Sequence, residues 1–357
     1  MVSPMLLPDL SAVSLLPVQI GRYLLEYGHD VVWATGPRRD AIGDRPEGAE
    51  VVELDENSWT TQIKKYILQV DLVHIHTWCR YTAKTIWFSR KKNVPIILHY
   101  YGTDVWAHPR RPWYGRWRPS CWFGMLAEKT IFYSHALRDA AREKKIKQHD
   151  EVVVYPPVQL EFFPVPLKIK DALRKRFNYC SNDNVLMSVK GFHQVSGAEI
   201  FAKAFVELAK KDRHLRWHVC GAGDPEEVKR ILKTGGCDDR VVIEGLLKPS
   251  ELADRYRLAD VVVLSTRLES YGNVTVESLS CGTPVMASPT VGSMELSEKL
   301  EGVHCLLGNE VDDWIECFSR CQIKIPVVTK KDFEYLKSLT LENVGKNFLN
   351  IYQQVLQ

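Results

Sequence analysis

The chain is 357 residues long, 45% hydrophobic and 25% charged, with a formal net charge of +3. Such a composition excludes a disordered or collagen-like chain and is long enough for two domains with cores of their own, while the charge is too small to argue for nucleic acid and at most permits an anionic substrate or membrane surface. Nine cysteines, an odd number with no Cys-x-x-Cys pair, point to reduced thiols and a cytoplasmic setting.

No apolar run reaches the roughly 18 residues of a membrane-spanning helix. Residues 1–16 are apolar but lack a basic leader and are interrupted by Pro4 and Pro8, so no signal peptide is expected. Residues 1–4 read as the tail of a first strand, followed by a loop at Leu10, Ser11 and Ala12 that contains no glycine. From 17 to 27, Ile20, Tyr23, Leu24 and Tyr27 share one helical face, with Pro17 at the start and Gly28 as the stop.

Short strands are expected at 31–34, 51–54, 72–76, 96–99, 131–133 and 152–154, with helical stretches between most of them. This alternation predicts a parallel doubly wound sheet whose ligands bind beyond the carboxyl ends of its strands. His76 and the turn Tyr101, Gly102, Thr103, Asp104 lie at such ends. His99 points to the same side as Tyr101 but about 7 Å further back. His74 and His76 read as packing or hydrogen-bonding groups, not metal ligands, since no third ligand stands at useful spacing.

Residues 108–124, which open on His108 and close on Gly124, interleave arginines with aromatics and carry three prolines. That mixture suits either an anionic lipid interface or a surface loop whose arginines stack on its own tryptophans. Ser134 precedes a helix from 136, and Tyr155, Pro156 and Pro157 begin a linker that runs to 163.

A second alternation follows: strands at 185–189, 215–220 and 241–244, and helices at 197–210, 225–234 and 250–258. The turn Gly221, Ala222, Gly223, Asp224 follows the second of these strands. Residues 261–264 form a short buried strand, 285–288 another, and a helix begins near Val274 between them. Ser270, Tyr271, Gly272 and Asn273 continue neither element, so the free amides at the helix start form a site for an anion such as a phosphate. Glu269 and Glu277 bracket that turn. One carboxylate can accept ribose hydroxyls and the other those of a sugar, with the linking phosphates on the amides between them.

This stretch resembles the donor-site signature of the family-four retaining glycosyltransferases, the group that includes glycogen synthase and sucrose synthase and has the glycosyltransferase B fold. The residues that carry the resemblance are Glu269, Ser270, Tyr271, Gly272, Glu277, Cys281, Gly282, Thr283, Pro284 and Val285. Gly292 and Glu295, the Gly221 turn and the strand exit at Leu246 are similar to further family elements. The resemblance implies two Rossmann-like domains facing a cleft, at 1–160 and 161–325, with a segment at 326–357 whose helix, carrying Val344, Phe348, Ile351 and Val355, packs back on the first.

It also implies a retaining, metal-independent hexosyltransferase that uses a UDP- or GDP-sugar as co-substrate, without another cofactor, and a glycan or lipid-linked acceptor. Glu269 would position the sugar and Glu277 the ribose. Gly272, Asn273 and Val274 would hold the diphosphate beside Tyr271, and Leu246 the base. Tyr101 takes the place of the family's histidine, so it joins Glu269 and Lys190 as a catalytic candidate, with Gly102, Asp104 and His99 on the acceptor side. The sharpest departure is the phosphate clamp. Alignment on Gly197 puts Gly191 where an arginine belongs and Ser196 where a lysine belongs, leaving Lys190 one step early. A non-catalytic binding or scaffold protein and a sugar-nucleotide epimerase of the same fold are the competing readings. Hydrolysis, binding without turnover, or isomerisation of a nucleotide sugar separates the three.

Overall fold

The computed structural model describes residues 1–4, 6, 12–36, 48, 50–55, 59–77, 80–102, 104–106, 124–146, 148–319 and 326–357. The Leu10–Ser11 loop and nearly all of 108–124 lie outside the described residues. The chain forms two compact units, Met1–Pro157 with Leu341–Gln357, and Val158–Thr340. Among the described residues no helix is long and apolar enough to cross a membrane.

Unit 1 runs β1 (Val2–Ser3), α1 (Ala12–Glu26), β2 (Val32–Thr35), β3 (Glu50–Glu53), α2 (Trp59–Ile67), β4 (Val73–His76), α3 (Arg80–Lys91), β5 (Ile96–Tyr100), β6 (Lys129–Phe132), α4 (His135–Glu143) and β7 (Glu151–Val153). Its strands are parallel in the order β3-β2-β1-β4-β5-β6-β7. α1 begins five residues before the expected start and runs through Pro17. A proline has no N–H to give the carbonyl four residues back. Here Ser3 Oγ donates to that carbonyl, Val13 O, at 2.9 Å, and the buried Trp33 Nε1 donates to Pro17 O at 3.2 Å.

Unit 2 runs α5 (Leu167–Arg176), β8 (Asn184–Val189), α6 (Ala198–Lys211), β9 (Leu215–Cys220), α7 (Glu226–Thr234), β10 (Val241–Glu244), α8 (Pro249–Leu258), β11 (Val261–Leu264), α9 (Asn273–Ser280), β12 (Val285–Ala287), α10 (Val291–Lys299), β13 (Val303–Cys305), α11 (Val311–Ser319) and α12 (Lys330–Ser338). Its parallel sheet has the order β10-β9-β8-β11-β12-β13. The core packs α6 edge-to-face on the sheet and on α11: Phe201 meets Trp217 of β9 at 5.2 Å and Trp314 of α11 at 5.3 Å. Arg257 binds the linker by donating to Phe163 O at 3.1 Å and Glu161 O at 2.7 Å.

The last helix, α13 (Leu341–Leu356), belongs to unit 1. It buries Val344, Phe348, Ile351 and Tyr352, and its Gly345 lies so close to Tyr23 of α1 that a Cβ there would stand 2.5 Å from that ring.

Candidate functional site

In unit 2 the strand order reverses between β8 and β11, which pair directly through Val261 with Leu186 and Val262 with Met187. Ligands of such sheets bind beyond the carboxyl ends of strands at that reversal. The chain leaves β8 at Lys190, a non-glycine residue at φ +129°, and Gly191. Both amides bond Cys220 O, at 3.3 and 3.2 Å, locking this exit to that of β9. The two loops meet where only glycine fits. A Cβ on Gly221, at φ +140°, would stand 2.2 Å from the amide nitrogen of Gly191. From this exit the Lys190 side chain reaches Glu269, beyond the end of β11, and forms an ion pair with it.

Beyond Glu269 the chain turns into α9. Gly272 caps the helix at φ +107° and no side chain caps its amides. Among the described residues, the amides of Gly272, Asn273 and Val274 have no protein acceptor. The Thr275 hydroxyl, in the first turn beneath Gly272, is buried without a partner. Open amides on a helix dipole make a seat for an anion.

Glu277 follows one turn along α9 and accepts a hydrogen bond from the buried Tyr256 of α8 at 2.8 Å. Desolvation pushes its carboxyl up to about 7, Tyr256 holds it down and the negative charge of Glu269 adds to the rise. Two acids in unlike surroundings thus flank one helix tip: Glu269 paired with a lysine, Glu277 with a neutral phenol.

The other predicted donor residues lie in loops of unit 2. The Tyr271 side chain is buried in the core of unit 2, so only its backbone serves the loop. Gly292 donates its amide to Glu269 O at 3.1 Å. Leu246, at the exit of β10, is 68% exposed. The Ser196 hydroxyl donates to His193 O at 2.6 Å and closes a turn. It supplies no charge.

Tyr256 and Thr275 escaped sequence reasoning, because a phenol in a helix and a threonine in a first turn read as packing. So did a buried network under the exits of β9 and β10. His218 bonds Tyr179 at 2.9 Å and Glu244 at 2.5 Å, and Arg255 grips both oxygens of Glu244 at 2.7 and 2.8 Å. These contacts, Arg255 foremost, hold the Glu244 carboxyl down to about 2. Glu244 O also accepts from Gly221 N at 3.2 Å, which ties the network to the glycine turn.

The residues predicted for the acceptor side lie at the carboxyl end of β5 in unit 1. Tyr101 is 7% exposed, and its hydroxyl lies 2.7 Å from His76 Nδ1. Asp104 accepts from Gly102 N at 2.8 Å, Tyr101 N at 3.1 Å and Thr77 Oγ at 2.8 Å, so it closes the turn. His99 is fully buried, and burial lowers its pKa to about 3.

The expectation that no third ligand-type residue stands near His74 and His76 is corrected here. His99 pairs across the ladder with His76, and one ligand atom from each of the three imidazoles lies within 4.8 Å of the others. Spacing along one strand hides a neighbour supplied by the next. His74 Nδ1 bonds Tyr352 of α13 at 2.7 Å, so the cluster is covered by phenols.

Residues 17–162 match the domain described as glycosyltransferase family 4, and residues 183–321 the one described as glycosyl transferases group 1. Among relatives, the alpha-monoglucosyldiacylglycerol synthase of Streptococcus pneumoniae is 25% identical over 80% of this chain and 66% of its own length. A D-inositol 3-phosphate glycosyltransferase of Catenulispora acidiphila is 30% identical over 62% of this chain and 56% of its own. The chain therefore spans less than two thirds of either relative.

Among solved structures, a glycosyltransferase from Rickettsia africae superposes with a TM-score of 0.80 at 15% identity, covering 100% of this chain and 98% of that one. Anabaena HepE in complex with UDP and glucose gives 0.79 at 15% identity, covering 99% of each. Both carry the two-sheet architecture seen here. With one family domain matched in each unit and this fold throughout, the chain belongs to the family-four glycosyltransferases of the glycosyltransferase B fold.

Proposed function

We propose that the chain transfers a sugar from a nucleoside diphosphate sugar to an acceptor hydroxyl, with retention at the anomeric carbon and without a metal ion. The observation that carries this reading is the open tip of α9, with three unclaimed amides between Glu269 and Glu277 at the reversal of the unit 2 sheet. The amides and Lys190 meet the charge of the diphosphate, Glu269 the sugar hydroxyls and Glu277 the ribose. The acceptor oxygen bonds to the anomeric carbon as the bond to the diphosphate breaks, and its proton passes to the departing phosphate oxygen. Tyr101 and Gly102 are kept for the acceptor side, with His99 and Asp104 holding their turn. That a similar solved protein carries UDP and glucose supports a UDP-sugar as the first donor to try.

The test is incubation with a panel of UDP- and GDP-sugars, with release of free sugar and nucleotide followed by NMR. Hydrolysis of one donor with the α-configured sugar appearing first supports the reading. Failure of every nucleotide to bind sinks it. A second reading, binding without turnover, is favoured by one observation: among the described residues Glu269 pairs with Lys190 alone, and Ser196 supplies a hydroxyl and no second charge. It predicts nucleotide affinity with intact donor.

A further inference from the structure

Helices α2 and α3 of unit 1 carry Lys64, Lys65, Arg80, Lys84, Arg90 and Lys91 and not one aspartate or glutamate. The two helices pack together: Trp59 Nε1 donates to Thr85 Oγ1 at 3.1 Å, and Lys64 Nζ lies 5.3 Å above the Phe88 ring. Their outer sides are therefore one surface. On it Lys84, Trp87 and Lys91 form a stripe at helical spacing, with Lys91 Nζ 5.6 Å over the Trp87 ring. Trp87 is 62% exposed, and Leu68, one turn beyond Lys64, is 61% exposed. Arg90 pairs with Glu128; among the described residues Lys64, Lys65, Lys84, Lys91 and Lys92 have no carboxylate within ion-pair distance.

We propose that this face docks on an anionic lipid bilayer, with Trp87 and Leu68 at the headgroup boundary and the lysines on lipid phosphates. Lysine stems lie along apolar surface with their ammonium groups in the polar layer, and tryptophan prefers that same boundary. The charge complementarity decides for an anionic surface. The exposed apolar side chains decide for a bilayer over RNA, which favours arginine forks and stacking platforms of several rings. The proposal does not rest on the transfer reaction.

The full chain is sedimented with phosphatidylcholine vesicles and with vesicles containing about 30% phosphatidylglycerol. It should pellet only with the second and be released as salt rises. Reversing three lysines, K64E/K84E/K91E, should lower vesicle partition by roughly a hundredfold, at about fivefold per removed charge before the reversal adds more. W87A, which leaves the charge unchanged, should lower it less. Far-UV circular dichroism and melting of both variants should match the parent, since these side chains are exposed. Three outcomes overturn the proposal: a parent protein that stays in solution at every lipid composition, a triple variant that pellets like the parent, or displacement from vesicles by poly(U) at equal charge concentration.

Discussion

The two sheets share a strand order and differ in what closes their carboxyl ends. In unit 2 the exits of β8 and β11 present an ion pair, an uncapped helix tip and a carboxyl raised by burial. In unit 1 the exits of β4 and β5 are filled by three imidazoles roofed by Tyr101, Tyr133 and Tyr352. Each place holds one non-glycine residue in the left-handed region, Lys190 at φ +129° and Thr77 at φ +62°. Both backbones are tied by their amides, Thr77 to His99 O at 2.9 Å and Lys190 to Cys220 O at 3.3 Å, but the Thr77 side chain is spent on Asp104 at 2.8 Å inside the turn, whereas the Lys190 side chain is held by the acid it would share with a ligand. Topology makes the crevice, and unclaimed polar groups make the site.

The contrast breaks most sharply at Gly221. G221A forces a Cβ onto the Gly191 backbone, and we expect about 3 kcal/mol of lost stability in urea unfolding, together with loss of nucleotide binding. Unchanged affinity would detach the glycine contact from the site.

Next in size is E277Q, which exchanges a double acceptor for an amide. UDP affinity by calorimetry should fall about tenfold to a hundredfold. Its pH behaviour sharpens the point. The Glu277 carboxyl is raised from 4.5 to about 7, so the folded chain holds a proton that the unfolded chain releases. Its share of stability is therefore full below about 4.5 and is lost as pH climbs to about 7. Donor affinity should move the other way, strengthening as the carboxylate forms. Parallel pH trends in both quantities, or profiles that E277Q leaves unaltered, would overturn this account.

Y256F should act through Glu277 alone. Without the phenol the carboxyl rises further, so the midpoint of the affinity profile shifts to higher pH and affinity near neutrality drops about tenfold. A uniform loss at every pH would mark Tyr256 as a packing residue only. The smallest effect belongs to unit 1. Y101F leaves His76 Nδ1 without its partner and should cost about 1 kcal/mol of stability while nucleotide affinity stays unchanged.

Much of the architecture is legible from alternation and glycine turns, because buried parallel strands are short apolar runs and helix caps have few chemical solutions. Glu269, Gly272 and Glu277 are recognisable for the same reason: their placement follows from a local turn. What sequence alone misplaced depends on distant partners. Pro17 reads as a helix start because nothing local announces Ser3 as the donor that lets the helix continue. Ser196, where the family resemblance implies a cation, closes a turn with its hydroxyl, and Lys190 takes a strained backbone to reach Glu269. Tyr256 and His99 become visible only when helix and strand neighbours are assembled.

The return of α13 to unit 1 has a consequence for biosynthesis. Unit 2 is one unbroken segment and leaves the ribosome whole, while unit 1 waits for the final helix that supplies Phe348 and the Tyr352 hydroxyl above His74. Until then the edge of α1 that receives Gly345, and the imidazoles beneath Tyr352, lack that cover. The nascent chain thus emerges with unit 2 complete and unit 1 one helix short.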